Sequence, residues 1–403
     1  MPDLPTAVIF GAGSVGRGFL GQLFNESGYH VTFVDVDQPL IEALNRRGCY
    51  TLRLAAIHHT QELTIGPVRA LNVNHTQQVA EAVASASLMA TAVGARALSA
   101  IAQPIAAGLA RRWQTSGPLQ DAPVNIILCE NLHDAPEVLR GHVEAALPEA
   151  LRPLVRRRVG FVAAVIARMS PVPTPEQRAA DPTLIVAEPY KVLPVDRAAF
   201  VGRIPEIVGM YPVSPFAAYT ERKLYMHNAG HCMLGYLGYR RGYEYGYQAL
   251  IDPLVIAPIH QALNETSQAL RAEHGLDPVA LAEHVQDLLT RFANRALGDP
   301  ISRLARDPLR KLAADDRLVG AARLVQKHGI TPQGLSWGIA AALCYDDPAD
   351  PHAVELQAMI TAQGIDHVMR TVCGIAPDEP LAAMVRQRYQ TLQTDPEWRP
   401  RRS

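Results

Sequence analysis

Residues 6–16 read TAVIFGAGSVG, and this stretch decides the fold of the first half of the chain. Thr6–Phe10 is a short apolar run typical of a buried strand, and three glycines in the spacing GxGxxG follow it at once. A helical pattern over Arg17–Asn25 comes next. A strand, a glycine turn and a helix in this order predict the phosphate-cradling turn of a parallel α/β sheet.

Each position of the glycine turn has a physical role. The first glycine permits the tight turn, the second lets backbone amides approach a pyrophosphate, and the third allows close packing of helix against strand. The N-terminus of the helix adds a partial positive charge. The predicted cofactor-binding residues of this turn are Gly11, Gly13, Ser14, Val15 and Gly16.

Asp35 strengthens the prediction of a dinucleotide site. It closes the next apolar run, His30–Asp35, about twenty residues after the glycines. Its carboxylate can accept hydrogen bonds from a ribose diol and would repel a 2′-phosphate, which favours NAD over NADP. The alternative for Asp35 is an ordinary solvated strand end.

Composition excludes several classes of protein. The chain has 403 residues, with 38 Lys and Arg against 39 Asp and Glu, and 48% of its residues are hydrophobic. That length allows two or three domains of about 150 residues each. A net charge of −1 argues against a nucleic-acid partner, because such binding rests on many contacts between basic side chains and phosphates.

The cysteines and the apolar runs predict a cytoplasmic protein. Five cysteines are scattered without paired spacing, as in proteins with reduced thiols. We find no secretory signal, and no apolar run approaches the ~20 residues that span a bilayer. We therefore expect no membrane partner. The expected assembly is a monomer or a homodimer, which these features do not determine.

The pattern of elements predicts two domains. Further strand-like runs, Ala86–Val93 and Asn125–Cys129, alternate with helical stretches in the first half. We therefore expect an N-terminal Rossmann-type, doubly wound α/β sheet over residues 1–195, to which residues 50–71 make an antiparallel addition. A mostly α-helical domain should follow over residues 196–403, with a frayed tail from Thr394.

The candidate catalytic residues lie in Tyr219–Gly238, which reads YTERKLYMHNAGHCMLGYLG. If this stretch is an α-helix, Asn228 lies about 140° and His231 about 80° around the helix from Lys223. One side of the helix then offers an amine, an amide and an imidazole. His227, one turn after Lys223, fits no role in this set.

Such a set suits alcohol oxidation, in which a base removes the hydroxyl proton as hydride leaves carbon. Lys223 can serve if burial and nearby positive charge lower its pKa. Asn228 can donate to the developing alkoxide, and His231 can bond a second hydroxyl or orient the lysine. From spacing alone, a solvated lysine and a structural histidine remain the alternative.

The motif K-x4-N-x2-H resembles the signature of the polyol-specific long-chain dehydrogenases and reductases, the mannitol dehydrogenase family. The resemblance also includes AVIFGAGSVGRGF at 7–19, TAVG at 91–94, CEN at 129–131 and RFANRALGDPISRLARDPLRKLAADDRL at 291–318. It implies a zinc-independent, NAD-dependent oxidoreductase with Lys223 as the general base. Thr91 and Asn131, from TAVG and CEN, join the predicted cofactor-binding residues, although Asn131 can also simply cap a helix.

The resemblance further implies interconversion of mannitol 1-phosphate and fructose 6-phosphate. Two positions that are usually polar in the family are Ala163 and Ala167 here. The alternatives are therefore the same chemistry on an unphosphorylated polyol or a sugar acid, or a catalytically weak NAD-binding protein. Lys191, Arg240 and Arg241 are candidate phosphate ligands that can equally be surface charges. No metal site is predicted, because the histidine pairs lack a carboxylate at ligand spacing.

Overall fold

The computed structural model describes residues 4–132, 134–171 and 173–400. The chain forms two compact units that divide between Phe216 and Ala217. This division falls after the predicted change of pattern at residue 195. The physical reason is that Met210–Val213 pairs with Leu193–Asp196 and so belongs to the first unit.

The first unit is built on strands. Its strands are β1 Thr6–Phe10, β2 His30–Asp35, β3 Tyr50–Ala55, β4 Thr60–Ile65, β5 Val68–Asn72, β6 Leu88–Thr91, β7 Val124–Leu128, β8 Val159–Ala163, β9 Ile185–Ala187, β10 Leu193–Asp196 and β11 Met210–Val213. The main sheet has the order β5-β2-β1-β6-β7-β8, and all its pairs are parallel. This order reverses at β1, as in a doubly wound sheet.

Helices connect these strands. They are α1 Gly21–Glu26, α2 Gln38–Arg47, α3 Thr76–Ser85, α4 Leu98–Gln114, α5 Ala135–Ala146, α6 Arg152–Arg158 and α7 Pro175–Ala180, and a π-helical turn at Gly16–Leu20 leads into α1. The helix predicted at Arg17–Asn25 is therefore present as a π turn that continues into a short α-helix.

Two hydrophobic cores cover the two faces of the main sheet. Along β1, Ala7 and Ile9 point into one core, while Val8 and Phe10 point into the other. Alternation with a period of two is the side-chain geometry of a strand, and burial on both faces explains the apolar runs. The predicted Rossmann-type sheet is confirmed.

Residues 50–71 differ from the prediction. β3 pairs antiparallel with β4 and parallel with β9, and these three strands form a separate sheet. β5 joins the main sheet beside β2 in parallel register. An antiparallel addition to the main sheet was therefore the wrong expectation, because alternating patterns do not reveal which partner a strand chooses.

The second unit is helical, as predicted. Its helices are α8 Ala217–Arg222, α9 Ala229–Arg240, α10 Gly246–Ala249, α11 Pro253–His274, α12 Pro278–Phe292, α13 Ile301–Ala305, α14 Pro308–Lys311, α15 Val319–Lys327, α16 Gln333–Leu343, α17 Pro351–Gln363, α18 Ile365–Thr371 and α19 Pro380–Thr394. A π-helical turn, Lys223–Asn228, joins α8 to α9. Of the helices that the structure describes, none is long and apolar enough to cross a membrane.

Helix α16 lies at the centre of this unit and is buried along most of its length. The carboxylate of Glu265, on α11, accepts hydrogen bonds from the backbone N–H of Gly334 at 2.9 and 3.1 Å. A negative charge at a helix N-terminus is favourable because the first amides there have no partner within the helix.

The tail after Thr394 is packed, which corrects the expectation that it is frayed. The Trp398 side chain is buried and stacks on Trp337 of α16, with ring centroids 5.1 Å apart. Arg241, buried beside Asp252, donates to the carbonyl oxygens of Glu397 and Arg399. The prediction was wrong because it was based on the polar residues of the tail and did not consider that the Trp398 ring could be buried.

Candidate active site

The glycine turn after β1 has the geometry of a phosphate cradle. Gly11 has a φ of +98°, and a Cβ atom there would lie 2.3 Å from the Ala92 carbonyl oxygen. At Gly16 a Cβ atom would lie 1.9 Å from the Gly11 oxygen, so both positions exclude a side chain. Gly13 is exposed and a Cβ atom there would meet nothing within 4 Å, which leaves its surroundings open to a ligand.

Ser14 and Val15 are half-buried and form the entry to the helix. The Val15 carbonyl oxygen accepts from the amides of Phe19 and Leu20, and the Gly13 oxygen accepts from that of Arg17. The first amides of this helix therefore lie in the turn itself, where an anion is stabilised.

Asp35 lies at the carboxyl end of β2, beside this turn. Its Oδ2 accepts from the Ala12 backbone N–H at 2.6 Å, and its Oδ1 accepts from that of Val36 at 2.7 Å. These bonds fix the carboxylate next to the glycine turn and leave acceptor capacity for a ribose diol. The turn and Asp35 together fit a dinucleotide.

Thr91 is the last residue of β6, directly before the turn that follows this strand. Thr91 is buried, and its Oγ1 has no hydrogen-bond partner among the residues that the structure describes. The two oxygens of Glu130 accept from the backbone N–H groups of Val93 at 3.0 Å and Gly94 at 2.8 Å. Glu130 was missed by the sequence reasoning, which took Asn131 from the same CEN stretch; Asn131 itself is exposed.

Lys223 and Asn228 are the first and last residues of the π-helical turn between α8 and α9. In the α-helix predicted here, residues five apart are separated by about 140° around the helix axis. In a π turn the hydrogen bonds run from residue i to i+5, which brings such residues to the same side. The angle around the helix axis between Lys223 and Asn228 is therefore smaller than the predicted 140°. Single π turns are frequent at functional sites.

The half-buried Lys223 has a lowered pKa, about 8. Burial is the main cause, since it disfavours the charged form, and the guanidinium of Arg317 acts in the same direction. The carboxylate of Asp316 opposes both. A lysine in this state can lose its proton near neutral pH and act as a base.

His231 lies in the first turn of α9 and is held in place by two contacts. Its ring stacks on Phe292 with centroids 4.9 Å apart, and its Nε2 lies 3.6 Å from Oδ2 of Asp299. Burial alone would raise the pKa of Asp299, but its contacts with His231 and Arg303 outweigh burial and lower the pKa. Asp299 was missed from sequence; it stands within residues 291–318, the long segment that resembles the family.

The predicted phosphate ligands are engaged elsewhere. Lys191 pairs with Glu26 at 2.8 Å, and Arg240 donates to the Leu392 carbonyl oxygen at 2.8 and 2.6 Å. Arg241 holds the tail, as described above. These contacts give the three side chains structural roles.

Ala163 ends β8 and is half-buried, and Ala167 is buried. Neither offers a polar side chain. Within the described parts of the chain, no group of three His, Cys, Asp or Glu side chains could hold a metal ion.

The fold and these features define a protein with a Rossmann-type unit that fits a dinucleotide and a helical unit in which a lysine and an asparagine bound one π turn and a histidine follows at the start of the next helix. The model of the mannitol dehydrogenase Rossmann domain matches residues 5–209, and that of the mannitol dehydrogenase C-terminal domain matches residues 216–393. The chain belongs to the mannitol dehydrogenase family.

Two relatives illustrate the similarity over nearly the whole chain. The mannitol-1-phosphate 5-dehydrogenase of Bacillus licheniformis is 40% identical over 380 residues, which cover 94% of this chain and 98% of that protein. The protein of the same name from Brevibacillus brevis is 38% identical, over 97% of this chain and 98% of its own.

Solved structures with 18% sequence identity share the fold. Pseudomonas fluorescens mannitol 2-dehydrogenase, solved as a ternary complex with NAD and D-mannitol, has a TM-score of 0.74 and covers 98% of this chain and 93% of its own. A D-sorbitol dehydrogenase in substrate-free form has a TM-score of 0.79, and the match covers 97% of this chain and 94% of that protein.

Proposed function

We propose that this chain is an NAD-dependent oxidoreductase that interconverts mannitol 1-phosphate and fructose 6-phosphate, with Lys223 as the general base. The observation that carries the proposal is the lowered pKa of Lys223 on a turn that also presents Asn228. The names of the relatives, which are 38–40% identical over most of both chains, support the substrate.

In the second unit, Lys223, Asn228 and His231 have separate roles in the oxidation of the hydroxyl group. Neutral Lys223 takes the proton from the substrate hydroxyl, and bound NAD supplies the acceptor for the hydride. Asn228 donates a hydrogen bond to the same oxygen as negative charge develops on it. His231, fixed by Phe292 and Asp299, holds a neighbouring hydroxyl or orients the lysine.

The cofactor would be held by the first unit. The amides around Gly13 would face the pyrophosphate, and Asp35 would accept hydrogen bonds from the ribose hydroxyls. Thr91 and Asn131 complete the proposed set, and Glu130 keeps the turn beside Thr91 in place. Because Asp35 is already fixed by the Ala12 amide, it meets the ribose without reorganisation.

A second candidate keeps the chemistry but uses an unphosphorylated polyol or a sugar acid. The observation that favours it is the engagement of Lys191, Arg240 and Arg241 in other contacts. The absence of polar side chains at Ala163 and Ala167 instead favours a weak enzyme that mainly binds NAD, since a lost contact to the reacting oxygen costs about 2.7–4 kcal/mol.

A substrate panel tests these alternatives. The purified protein is mixed with NAD at alkaline pH and with mannitol 1-phosphate, mannitol or a sugar acid, and NADH absorbance is followed. We expect clear preference for mannitol 1-phosphate. Preference for mannitol would overturn the phosphate assignment, and NAD binding without turnover of any substrate would overturn the enzymatic role.

We also propose a cytoplasmic location, supported by five cysteines that are all free thiols. The proposed assembly is a monomer or a homodimer, and light scattering distinguishes the two.

A further inference from the structure

Arg17 is a buried arginine directly beside the glycine turn. It follows Gly16 in the π-helical turn Gly16–Leu20, and it is 7% exposed. Arginine is rarely buried to this extent, because taking its charge out of water costs free energy unless the group is hydrogen-bonded. A buried guanidinium at the edge of the candidate cofactor turn therefore indicates a specific role.

The guanidinium of Arg17 holds the carbonyl oxygen of Ala12, which lies within the glycine turn. Its Nε donates to this oxygen at 2.6 Å, and its Nη1 donates to the Thr183 carbonyl oxygen. The N–H of Ala12 donates in turn to Oδ2 of Asp35 at 2.6 Å. Both polar backbone groups of Ala12 are therefore held by charged side chains, which fixes the orientation of this part of the turn.

The bond to Ala12 determines where the next amide points. In a planar trans peptide, the C=O of one residue and the N–H of the next point in opposite directions. Because the Ala12 oxygen is turned toward Arg17, the Gly13 N–H is directed away from the guanidinium. Gly13 is exposed, and among the described residues no acceptor takes a hydrogen bond from its N–H. This amide is therefore oriented and available for a ligand.

The backbone of Arg17 is anchored separately from its side chain. Its N–H donates to the Gly13 oxygen at 2.9 Å, and its carbonyl oxygen accepts from Oη of Tyr50 at 2.6 Å. Tyr50 is buried on β3, and Thr183 lies just before β9, so both partners belong to the region of the small sheet β4-β3-β9. This region holds Arg17, and Arg17 holds the glycine turn.

An arginine suits this position better than other basic residues. Its planar guanidinium presents several N–H donors at fixed angles, so it can hold two carbonyl oxygens in one geometry. Hydrogen bonds from a charged donor are also stronger than those between neutral groups. A lysine would keep the charge but has a single nitrogen on a flexible chain, and so could not fix the turn in the same way.

We propose that Arg17 is a positioning residue for cofactor binding: by holding the Ala12 carbonyl oxygen, it directs the Gly13 amide at the pyrophosphate of NAD. This inference deepens the proposed function and rests on its assignment of the glycine turn to the cofactor. Arg17 acts through the backbone of the turn, so its side chain need not touch NAD.

The test compares ligands that contain the pyrophosphate with one that lacks it. NAD, ADP-ribose and adenosine each displace bound NADH, and the loss of NADH fluorescence gives their Kd without any turnover. In Arg17→Met the Kd of NAD and that of ADP-ribose should rise about tenfold or more, since a charge-assisted hydrogen bond that orients the turn is lost. The Kd of adenosine should stay close to the wild-type value, because adenosine has no phosphate to meet the Gly13 amide.

Arg112→Met is the matched control. Arg112, on α4, is 3% exposed, and its Nη1 donates to the carbonyl oxygens of Ala84 and Ala86 at 3.1 and 2.8 Å. It is therefore also a buried arginine bonded to two backbone carbonyls of the first unit. Ala86 precedes β6, at the amino end of the strands, whereas a dinucleotide binds at their carboxyl ends. Arg112→Met should lower the melting temperature, as Arg17→Met does, but leave the ratio of the Kd of ADP-ribose to that of adenosine unchanged.

Two results would overturn the positioning role. One is an unchanged Kd ratio in Arg17→Met, and the other is an equal rise of the ratio in Arg112→Met, which would show an effect of lost stability alone. If Arg17→Met does not fold, Arg17→Lys takes its place, because it keeps the charge and most of the length. The ratio should still rise severalfold in Arg17→Lys, and an unchanged ratio there overturns the role.

These binding measurements also separate the inference from the proposed function. If the wild-type protein binds NAD but oxidises no polyol, the proposed function fails, and the Kd ratio still decides the role of Arg17. If the wild-type protein oxidises mannitol 1-phosphate and the ratio is unchanged in Arg17→Met, the positioning role alone fails. A wild-type protein that binds neither NAD nor ADP-ribose overturns both.

Discussion

Replacing Arg317 with methionine should shift the pH dependence of polyol oxidation to higher pH. Lys223 must be neutral to accept the hydroxyl proton, so activity in the oxidative direction rises as pH passes its pKa of about 8. Arg317 is mostly buried and is the positive charge that lowers this pKa after burial itself. Methionine keeps much of the packing volume and removes the charge.

The expected shift in the pH midpoint depends on how much of the lowered pKa of Lys223 is due to burial and how much to Arg317. The pKa of Lys223 falls from 10.5 to about 8, and burial contributes more of that fall than Arg317 does. We therefore expect the midpoint to rise by about one pH unit, which corresponds to about 1.4 kcal/mol. At neutral pH the neutral fraction of Lys223, and with it kcat/KM, then drops about tenfold.

The assay is the pH profile of kcat/KM for oxidation, measured from NADH absorbance from pH 6 to about pH 11. At the alkaline end the Arg317→Met protein should approach the wild-type rate, which a folding defect would not permit. Asp316→Asn is the opposing variant: Asp316 raises the pKa of Lys223, so its removal should move the midpoint to lower pH. If both variants lose activity evenly at every pH, the electrostatic account of Lys223 is wrong.

Three other predictions concern the cofactor site and the tail. Asp35→Asn should lower the preference for NAD over NADP in kcat/KM by about tenfold or more, because a charged acceptor for the ribose is lost. Glu130→Gln should raise the KM for NAD by about tenfold, since it releases one amide of the turn at Val93 and Gly94, and an unchanged KM would remove Glu130 from the site. Trp398→Ala should lower the free energy of unfolding by about 3–5 kcal/mol in urea titrations, and a change below about 1 kcal/mol would mean that the tail is not packed in solution.

Local sequence was sufficient for the elements that are bounded by clear signals. The strands Thr6–Phe10 and His30–Asp35 have the predicted bounds, because each apolar run ends at a glycine or an acidic residue. The partners of β3 and β4 could not be predicted in the same way, because pairing depends on contacts distant along the chain.

The candidate site was predictable in its residue types but not in its local geometry. The spacing of Lys223, Asn228 and His231 identified the candidate residues, whereas an α-helical period put Asn228 about 140° around the axis from Lys223, farther than the π turn does. A single π turn adds only one residue to the period, too little to show in an apolar pattern. The contact between His231 and Asp299 joins residues on different helices and loops, for which periodicity gives no information.

The fate of charged side chains was the least predictable feature. Lys191, Arg240 and Arg241 looked equivalent in the sequence, yet the structure gives one a surface ion pair and the other two contacts with the C-terminal segment. Burial and partner choice decide what a charge does, and both are set by the tertiary fold.

The central claim is that Lys223 is the general base, and Lys223→Met tests it most directly. Methionine keeps most of the length of the side chain and removes the amine, so NAD binding, followed by fluorescence titration, should stay as in the wild-type protein. Turnover of mannitol 1-phosphate should fall about a hundredfold or more at every pH. Retention of more than about a tenth of the wild-type rate, with NAD binding intact, would contradict the assignment of the base.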